Sequence, residues 1–420
     1  MSDATGQFDL LTARKNKMKT TGRCLGLIGC AGAMLLATGA WAQNSEEEET
    51  VPGIRLGPAM RLQPSLGTMV WFTDNRFRSE SDEISETGLR FDPSLVLSYA
   101  PSLGTYELGY EGQVDPVAED DYDDHKVFAS ADVRPLLRHG FKADASYEEN
   151  HDELGLNRTQ GAIDTEALKL DKWESTVLNG EYTFGAPDAR VNLSVRGGWR
   201  ARDYLTNRSL GTKFFDHNAT LAGAGATYRV SAKTQLLLDL EHQDIEYEVK
   251  ANPILDSKLD RALVGVRWAA TGKTVGEIMV GYYTRDFDAS EREDNEGLDW
   301  RAKVIWVPAT RTRLTLETAH LNRETHLLGE NSINEQAYRL SWKQDWSARM
   351  SSDLSVSHYE DDFKGTPRED DSDIATGVLE YELTRRFTIK GGVEYTRRDS
   401  SLGRFDFNRT VLFQGFEFVF

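Results

Sequence analysis

Long apolar runs, cysteines and an excess of positive charge are missing from most of this sequence of 420 residues. After residue 42 no apolar run approaches the length of about 20 residues that a transmembrane helix needs, so any membrane crossing must use strands. The two cysteines, Cys24 and Cys30, lie before residue 42, so no disulfide braces the rest of the chain. The net charge of −19 argues against nucleic acid as a partner.

The first 42 residues have the pattern of a removable secretory signal. Basic residues between positions 15 and 23 precede an apolar stretch at 24–40, and Ala40-Trp41-Ala42 supplies the small-x-small pattern that signal peptidase reads. A start at Met18 would give a more ordinary basic region and the same mature protein. Leu27-Ile28-Gly29-Cys30 resembles a lipoprotein cleavage box, but cleavage there would leave apolar residues 31–40 on the product.

Residues 43–57 follow the predicted cleavage point as a short acidic segment. Removal of residues 1–42 takes away five Lys or Arg and two Asp, which leaves a mature net charge of −22. We expect the segment to be a disordered periplasmic tail, because it has too little apolar surface to pack. A docking role for a periplasmic export partner is the alternative.

From residue 58 to the end, apolar and polar residues alternate in short segments separated by turn signals. In the segment 191–201, Val191, Leu193 and Val195 alternate with polar residues such as Arg196. A period of two places the two sets on opposite faces of a strand. The same split recurs at 261–268, 277–285, 298–306 and 387–395. One face suits lipid and the other suits water.

The polar face distinguishes this pattern from a soluble β-sandwich. It carries many Arg, Lys, Glu and Asp residues, and burying that many unpaired charges would be prohibitive. In hydrocarbon an open sheet edge would leave backbone groups without partners, so the sheet must close. We therefore predict an all-β protein in which residues 58–420 form a single transmembrane antiparallel up-and-down β-barrel in the outer membrane.

The links between segments predict the strand count. Short and long links alternate strictly, which is typical of tight periplasmic turns and longer extracellular loops. About 18 strands follow, or 16 if the segment 123–133 is not a strand, with both termini periplasmic. The longest link, 149–171, either folds inward as a constriction or remains an ordinary extracellular loop. The other long links are predicted at 79–86, 207–211, 249–256, 288–297 and 361–373.

Acidic residues cluster in the predicted extracellular loops. They are either solvated loop tips or sites that bridge to lipopolysaccharide phosphates through divalent cations. Their spacing matches no specific metal site, so we expect none. The clusters are Glu80, Asp82, Glu83 and Glu86; Glu119, Asp120, Asp121, Asp123 and Asp124; Glu291, Glu293, Asp294 and Glu296; and Glu369, Asp370, Asp371 and Asp373.

The last segment ends on three alternating phenylalanines, Phe416, Phe418 and Phe420. Outer-membrane barrels as a class end on an aromatic residue with apolar residues at alternate positions upstream. Leu412 fits this pattern, whereas Gln414 departs from it. We expect the three phenylalanines to be the signal that the barrel-assembly machinery recognises.

The first strands resemble the opening of the family called "putative β-barrel porin 2". The resemblance rests on residues 61–66, which include Pro64, and on residues 72–77, which include the pair Asp74-Asn75. Membership implies an outer-membrane barrel, and family members are often associated with exopolysaccharide export. The resemblance therefore implies export of an exopolysaccharide or capsule polymer. A general or solute-specific diffusion porin for uptake of small molecules is the alternative.

Charged residues on the polar face are the candidate pore lining. They form either cross-strand ion pairs or a polar track for an anionic polymer or solute. The candidates are Arg196, Arg200, Arg267, Arg285, Arg301, Lys303, Arg313, Arg339, Lys343, Lys390, Arg398, Glu241, Glu277, Glu317 and Glu394.

No constellation in the sequence indicates catalysis. The histidines are scattered, and His320, His326 and His358 share no defensible spacing with a serine or a carboxylate. We expect no catalytic residue and no cofactor, and a barrel enzyme is a remote alternative.

The expected partners are outer-membrane lipid, lipopolysaccharide, the assembly machinery and a periplasmic polysaccharide-export protein. Aromatic residues are expected to form interfacial girdles, namely Trp71, Tyr99, Trp199, Trp268, Trp306 and Trp346.

Deletion of Phe420, or Phe420→Ser, should reduce the amount of assembled barrel without affecting secretion through the inner membrane. The physical reason is loss of the terminal aromatic residue from the alternating pattern. Heat-modifiable migration on a gel measures the compact form. An unchanged amount of compact barrel would remove the assembly role from Phe420.

Overall fold

A computed structural model describes residues 53–118, 122–161, 169–251, 253–325, 327 and 329–420. The predicted signal, most of the acidic tail, Glu119, Asp120, Asp121 and His326 lie outside these ranges. Within them, no helix is long and apolar enough to cross a membrane.

The described residues form one antiparallel sheet of nineteen strands. The first strand is a two-residue segment, and each later strand has 10 to 16 residues. The strands are β1 (Ile54–Arg55), β2 (Met60–Thr73), β3 (Glu86–Tyr99), β4 (Gly104–Gln113), β5 (Asp124–Leu136), β6 (His139–Asp152), β7 (Asp171–Phe184), β8 (Val191–Tyr204), β9 (His217–Ser231), β10 (Thr234–Tyr247), β11 (Ser257–Thr271), β12 (Thr274–Phe287), β13 (Asn295–Ala309), β14 (Thr312–Arg323), β15 (Ser332–Asp345), β16 (Met350–Lys364), β17 (Glu369–Thr384), β18 (Phe387–Ser400) and β19 (Phe407–Val419).

The eighteen strands from β2 to β19 close into a barrel. Each pairs with the next along the chain, and β19 pairs back with β2 through residues 411–419 and 65–73. This confirms the predicted all-β, up-and-down barrel of 18 strands. The alternative of 16 is wrong, because the doubtful segment forms β5 and pairs with both β4 and β6.

Residues of the family-like opening hold the two ends of this closing seam. The carboxylate of Asp74 accepts a hydrogen bond from Thr410 N at 2.7 Å, and Asp74 N donates to Thr410 O at 3.2 Å. The buried Asn75 side chain donates to a carbonyl of β19 at 2.9 Å. At the other end, Phe420 N donates to Pro64 O at 3.0 Å. The seam therefore extends past its ladder in both directions.

Short and long connections alternate around the barrel, as predicted, except at β16–β17, where the connection on the long side is only residues 365–368. The short turns lie at the end of the barrel where β2 begins and β19 ends, so both ends of the barrel segment are on that side. Two long connections, 324–331 and 401–406, were not predicted from the sequence as loops. The connection 114–123 contains most of the acidic cluster at 119–124, which was predicted to lie in a loop.

The predicted long link at 361–373 is wrong. Strands β16 and β17 continue through it and leave only residues 365–368 as a turn. Two of the acidic residues there are buried on the inner face, where Asp361 lies 3.2 Å from Arg323 and Asp370 binds Arg368. The expectation that every acidic cluster lies in a loop is therefore wrong for seven residues, which lie in strands: Glu86, Asp124, Glu296, Glu369, Asp370, Asp371 and Asp373.

The wall has an apolar outer face and a more polar inner face. Contacts between non-adjacent strands identify the inner face, because only the concave side of a closed sheet allows them. Arg301 of β13 donates to Asp239 of β10 at 2.7 Å, so both side chains point inward. On β14, Leu316 is 52% exposed and Glu317 is 7% exposed. Alternation therefore separates a lipid-compatible surface from a charged interior.

One predicted girdle residue, Trp71, is on the wrong face. It is 7% exposed, and its indole N–H donates to the Asp115 carboxylate at 2.6 Å inside the barrel. Apolar residues also occur elsewhere on the inner face, where Leu237, Leu263 and Met279 form a small buried cluster. The alternating pattern predicts the face of a residue only when the inner and outer positions of its strand are assigned correctly. A large aromatic residue does not settle that assignment, because such residues occur on both faces.

Leu316→Arg should reduce the free energy of barrel unfolding by about 2 to 4 kcal/mol if the residue lies near the bilayer midplane. The cost arises because an outward arginine would face hydrocarbon. Thr315→Arg, the matched neighbour on the inner face, should cost much less. A denaturant refolding titration into lipid measures both variants, and equal losses would contradict the assigned parity.

Candidate functional site

Ion pairs line the inner wall from β8 to β19. Arg196 contacts Asp239 at 2.6 Å and Glu241 at 2.9 Å, and Arg267 contacts Glu277 at 2.7 Å. These contacts fit the cross-strand interpretation of the candidate pore lining. The series continues with Lys303–Glu317 at 2.7 Å, Arg323–Glu335 at 3.0 Å and Lys390–Glu417 at 2.6 Å.

The remaining pore-lining candidates are buried or half-buried on the inner face. Arg285 is buried and donates to Ser257 and Asn322, and Arg339 donates to Ser341 and Ser355. Glu394 and Arg398 are buried on the inner side of β18. Arg200 is half-buried on the polar parity of β8, as are Arg313 on β14 and Lys343 on β15. That the whole set lines a conducting pore remains a prediction.

The terminal phenylalanines share the outer face of β19. Phe416 and Phe420 are each 47% exposed, and the Phe418 ring packs edge-on against Phe420 at 4.7 Å. Glu417, between Phe416 and Phe418, points inward to Lys390. The geometry leaves the aromatic edges on the lipid side, and their role in assembly remains a prediction.

Residues 153–161 of the β6–β7 connection, called the crossing segment, cross the mouth of the barrel. This segment reaches the β16–β17 turn, where Arg368 donates to Gln160 at 2.6 Å. Six strands separate these two connections on one side and eight on the other, so they lie on almost opposite walls. Of the two alternatives for the longest link, the inward fold is the one observed.

Glu153 fixes the near end of this crossing segment. Its carboxylate binds Arg78, from the β2–β3 connection, and lies 3.4 Å from Arg409 of β19. Burial opposes the charge, but the two guanidinium groups outweigh it and lower the pKa of Glu153. Arg78 also donates to the carbonyl of Leu154 at 2.7 Å. The segment is therefore held by charge-assisted bonds, which are about twice as strong as neutral ones.

Arg368 fixes the far end. Its guanidinium carbon lies 3.7 Å from the ring centroid of Phe405 and 4.1 Å from that of Phe363, and it binds Asp370. A desolvated cation between two rings is a favourable arrangement, worth about 2 kcal/mol or more. The stacking orients Arg368 toward Gln160 across the mouth.

A second connection, 324–331, carries another inward carboxylate. Glu324 lies 3.3 Å from Arg285. Burial alone would raise its pKa, but the charges of Arg285, Arg200 and His217 lower the pKa of Glu324 to about 2. The carboxylate therefore stays negative over the physiological pH range and anchors this connection against the inner wall.

A partly open cavity lies beneath the crossing segment. Four arginines from the β2–β3 connection, β3 and β19 line it, together with aromatic and carboxylate side chains. The arginines are Arg76, Arg78, Arg90 and Arg409. The aromatic lining includes Trp71 and Tyr122.

The sequence did not reveal the residues that organise the mouth. Arg78, Glu153, Gln160, Arg368 and Arg409 meet through contacts between residues separated by 75 to 256 positions. Two local features of the sequence could have indicated these contacts: the glycines of the longest link and the arginines that follow Asp74-Asn75. Another unpredicted group, Asp203, Asp216 and Glu248, brings carboxylate oxygens within 4.8 Å of one another at the same end of the barrel.

Comparison with known families decides the classification. Residues 51–419 match the family described as "Putative beta-barrel porin 2". The chain belongs to this family. It is therefore a barrel of the outer-membrane porin and transporter type, and the family match covers the whole closed wall described above. No curated protein sequence matches the chain.

Solved structures with a similar fold include transporters and porins. The FrpB iron transporter from Neisseria meningitidis (F3-3 variant) is 10% identical with a TM-score of 0.46, and the match covers 82% of this chain and 62% of that one. The chain thus spans less than two thirds of that transporter. A BenF-like porin from Pseudomonas fluorescens Pf-5 is 9% identical with a TM-score of 0.49, covering 86% and 99% of the two chains. OccK11 from Pseudomonas aeruginosa is 13% identical with a TM-score of 0.45, covering 86% and 96%.

Gly155→Ala should release the crossing segment. Gly155 has φ +77°, and an added Cβ would lie 2.0 Å from the carbonyl oxygen of Phe77. Gly211→Ala is the matched control, because Gly211 has φ +114° but no atom within 4 Å of an added Cβ. Backbone strain of about 1 to 3 kcal/mol is common to both variants, so only Gly155→Ala should displace the segment.

Hydrogen exchange of residues 154–161 and single-channel conductance measure this displacement. We expect faster exchange and higher conductance in Gly155→Ala than in Gly211→Ala. Equal exchange and conductance in the two variants would contradict the docked position of the segment.

Proposed function

We propose that this barrel exports an exopolysaccharide or capsule polymer across the outer membrane, with both termini in the periplasm and a periplasmic export protein as its partner. Family membership over residues 51–419 supports the proposal through the association of family members with polymer export. The short turns lie at the end of the barrel where β2 begins and β19 ends, which supports the orientation. The proposal assigns the protein no catalytic residue and no cofactor.

The charge-matched inner wall is the observation that carries this proposal. Arg196, Asp239 and Arg301 form a continuous chain of contacts across β8, β10 and β13. Similar pairs repeat along the following strands, so donors and acceptors are dense while opposite charges offset each other. A sliding polyhydroxylated chain could exchange hydrogen bonds with such a wall without being trapped by a strong field of one sign.

Uptake of small solutes is the second candidate function. The crossing segment favours it, because the Glu153 and Arg368 anchors hold protein across the mouth and reduce its open area. A permanently narrowed mouth would select small molecules. Polymer export requires the crossing segment to move or the polymer to pass beside it.

Deletion of the gene should abolish or strongly reduce surface polymer while leaving permeation of small sugars and antibiotics nearly unchanged. The reason is that an export pore serves one polymer and other porins carry the small solutes. Quantitative capsule or exopolysaccharide staining and solute uptake assays measure the two outcomes. Normal surface polymer with impaired uptake of a small solute would favour the porin function instead.

A further inference from the structure

We infer that the cavity beneath the crossing segment binds the carboxylate of an acidic sugar, a hexuronate, and that this ligand competes with Glu153 for its arginines. The inference names the substrate class of the proposed export pore and rests on that proposal. Three features of the cavity support it: the four arginines, the contacts made by the neighbouring carboxylates, and the aromatic lining.

Arginine side chains are concentrated in this cavity. Arg76, Arg78, Arg90 and Arg409 are each at most 7% exposed, and they converge from three parts of the chain. Each guanidinium has five N–H donors arranged to bind a carboxylate through two parallel bonds. Arg76 is paired with Glu86 and Arg90 with Asp92, whereas Arg78 and Arg409 share one carboxylate, that of Glu153. The Arg78–Arg409 pair is therefore the place where a ligand carboxylate can compete.

The carboxylates that line the cavity already accept hydrogen bonds or form ion pairs with other protein groups. Asp115 accepts hydrogen bonds from the indole of Trp71 and from three backbone N–H groups, including that of Leu89 at 3.0 Å. Glu86 lies 3.5 Å from Arg76, and Glu153 is shared between two arginines. Glu153 is the one of these three that belongs to the crossing segment, so its replacement changes the mouth.

The aromatic lining suits a pyranose ring. Trp71 and Tyr122 are arranged edge to face, with ring centroids 6.3 Å apart, and both border the cavity. Rings of this kind present flat apolar surface beside polar groups. Gln113 adds an amide that can both donate to and accept from sugar hydroxyls. Arginines and aromatic rings together therefore fit a sugar that carries a carboxylate.

Occupation of the cavity would be coupled to the crossing segment. A hexuronate carboxylate on Arg78 and Arg409 would replace the contacts that these residues make to Glu153. The ligand then binds more tightly to the state in which Glu153 has left these arginines than to the state in which Glu153 contacts them. It therefore shifts the population toward the first state, in which the mouth is open. The exported polymer would in this way favour its own passage.

Isothermal titration of the detergent-solubilised full-length barrel tests the binding site. The probes are sodium galacturonate, tetragalacturonate and the neutral maltotetraose. We expect both acidic probes to bind and the neutral probe not to bind. Tighter binding of the tetramer would assign a polymer as the natural ligand, and equal binding of monomer and tetramer would assign a free sugar acid. Equal binding of maltotetraose, or no binding of either acidic probe, would overturn the inference.

Charge-removing variants locate the site. Arg78→Gln and Arg409→Gln should each weaken binding by about tenfold or more, because each removes charge-assisted hydrogen bonds. Arg397→Gln is the matched control: Arg397 is exposed on β18, close to Arg409 along the wall, and pairs with Asp399 outside the cavity. Heat-modifiable migration verifies assembly, and Arg78→Gln carries the test if Arg409→Gln does not assemble. Equal affinity in Arg78→Gln and Arg397→Gln would overturn the site.

The titration also separates this inference from the proposed function. If the cavity binds hexuronate but the barrel is not an exporter, binding will persist while gene deletion leaves surface polymer unchanged. If the barrel is an exporter without this site, deletion will abolish the polymer while galacturonate and tetragalacturonate fail to bind.

Discussion

Pairing of the first and last long strands is the interaction on which the rest of the molecule depends. Strands β2 and β19 are separated by most of the chain, and their ladder removes the only free edges that an eighteen-strand sheet would otherwise expose to lipid. Asp74, Asn75 and Pro64 extend the seam at its ends through bonds to β19 and Phe420. The residues that carry the family resemblance therefore have a physical role, which is to close the wall.

Closure creates an interior where charged side chains must find partners. Asp239 meets Arg196 from β8 and Arg301 from β13, and the second contact spans two intervening strands, which the curvature of the closed wall brings together. The same requirement draws Glu153 and Glu324 inward from their connections to Arg409 and Arg285. Charge pairing thus shapes both the inner wall and its mouth, and the segment across that mouth is a consequence of where the arginines lie.

Strand parity and number were predictable because they depend on local order along the chain. Alternation identified Leu316 and Glu317 as opposite faces, and the short turns predicted the strand count. The turn at 365–368 was mistaken for a long loop because acidic residues usually indicate solvent, whereas Asp370 is paired inside the barrel with Arg368. The position of Trp71 and the crossing segment depend on contacts between distant parts of the sequence, and composition and spacing do not encode such contacts directly.

Cross-linking across the mouth is the most direct test of this account. Gln160→Cys and Arg404→Cys place two thiols where the crossing segment meets the β18–β19 connection, since a Cβ added to Gly161 would lie 3.0 Å from the carbonyl oxygen of Arg404. Gln160→Cys removes the hydrogen bond to Arg368 but leaves the Glu153 anchor unchanged. A short bifunctional thiol reagent applied to outer membranes should link this pair rapidly and should not link Gln160→Cys with Leu210→Cys on the β8–β9 connection. Assembled barrel in which the first pair does not cross-link, or in which both pairs react equally, would contradict a segment held across the mouth.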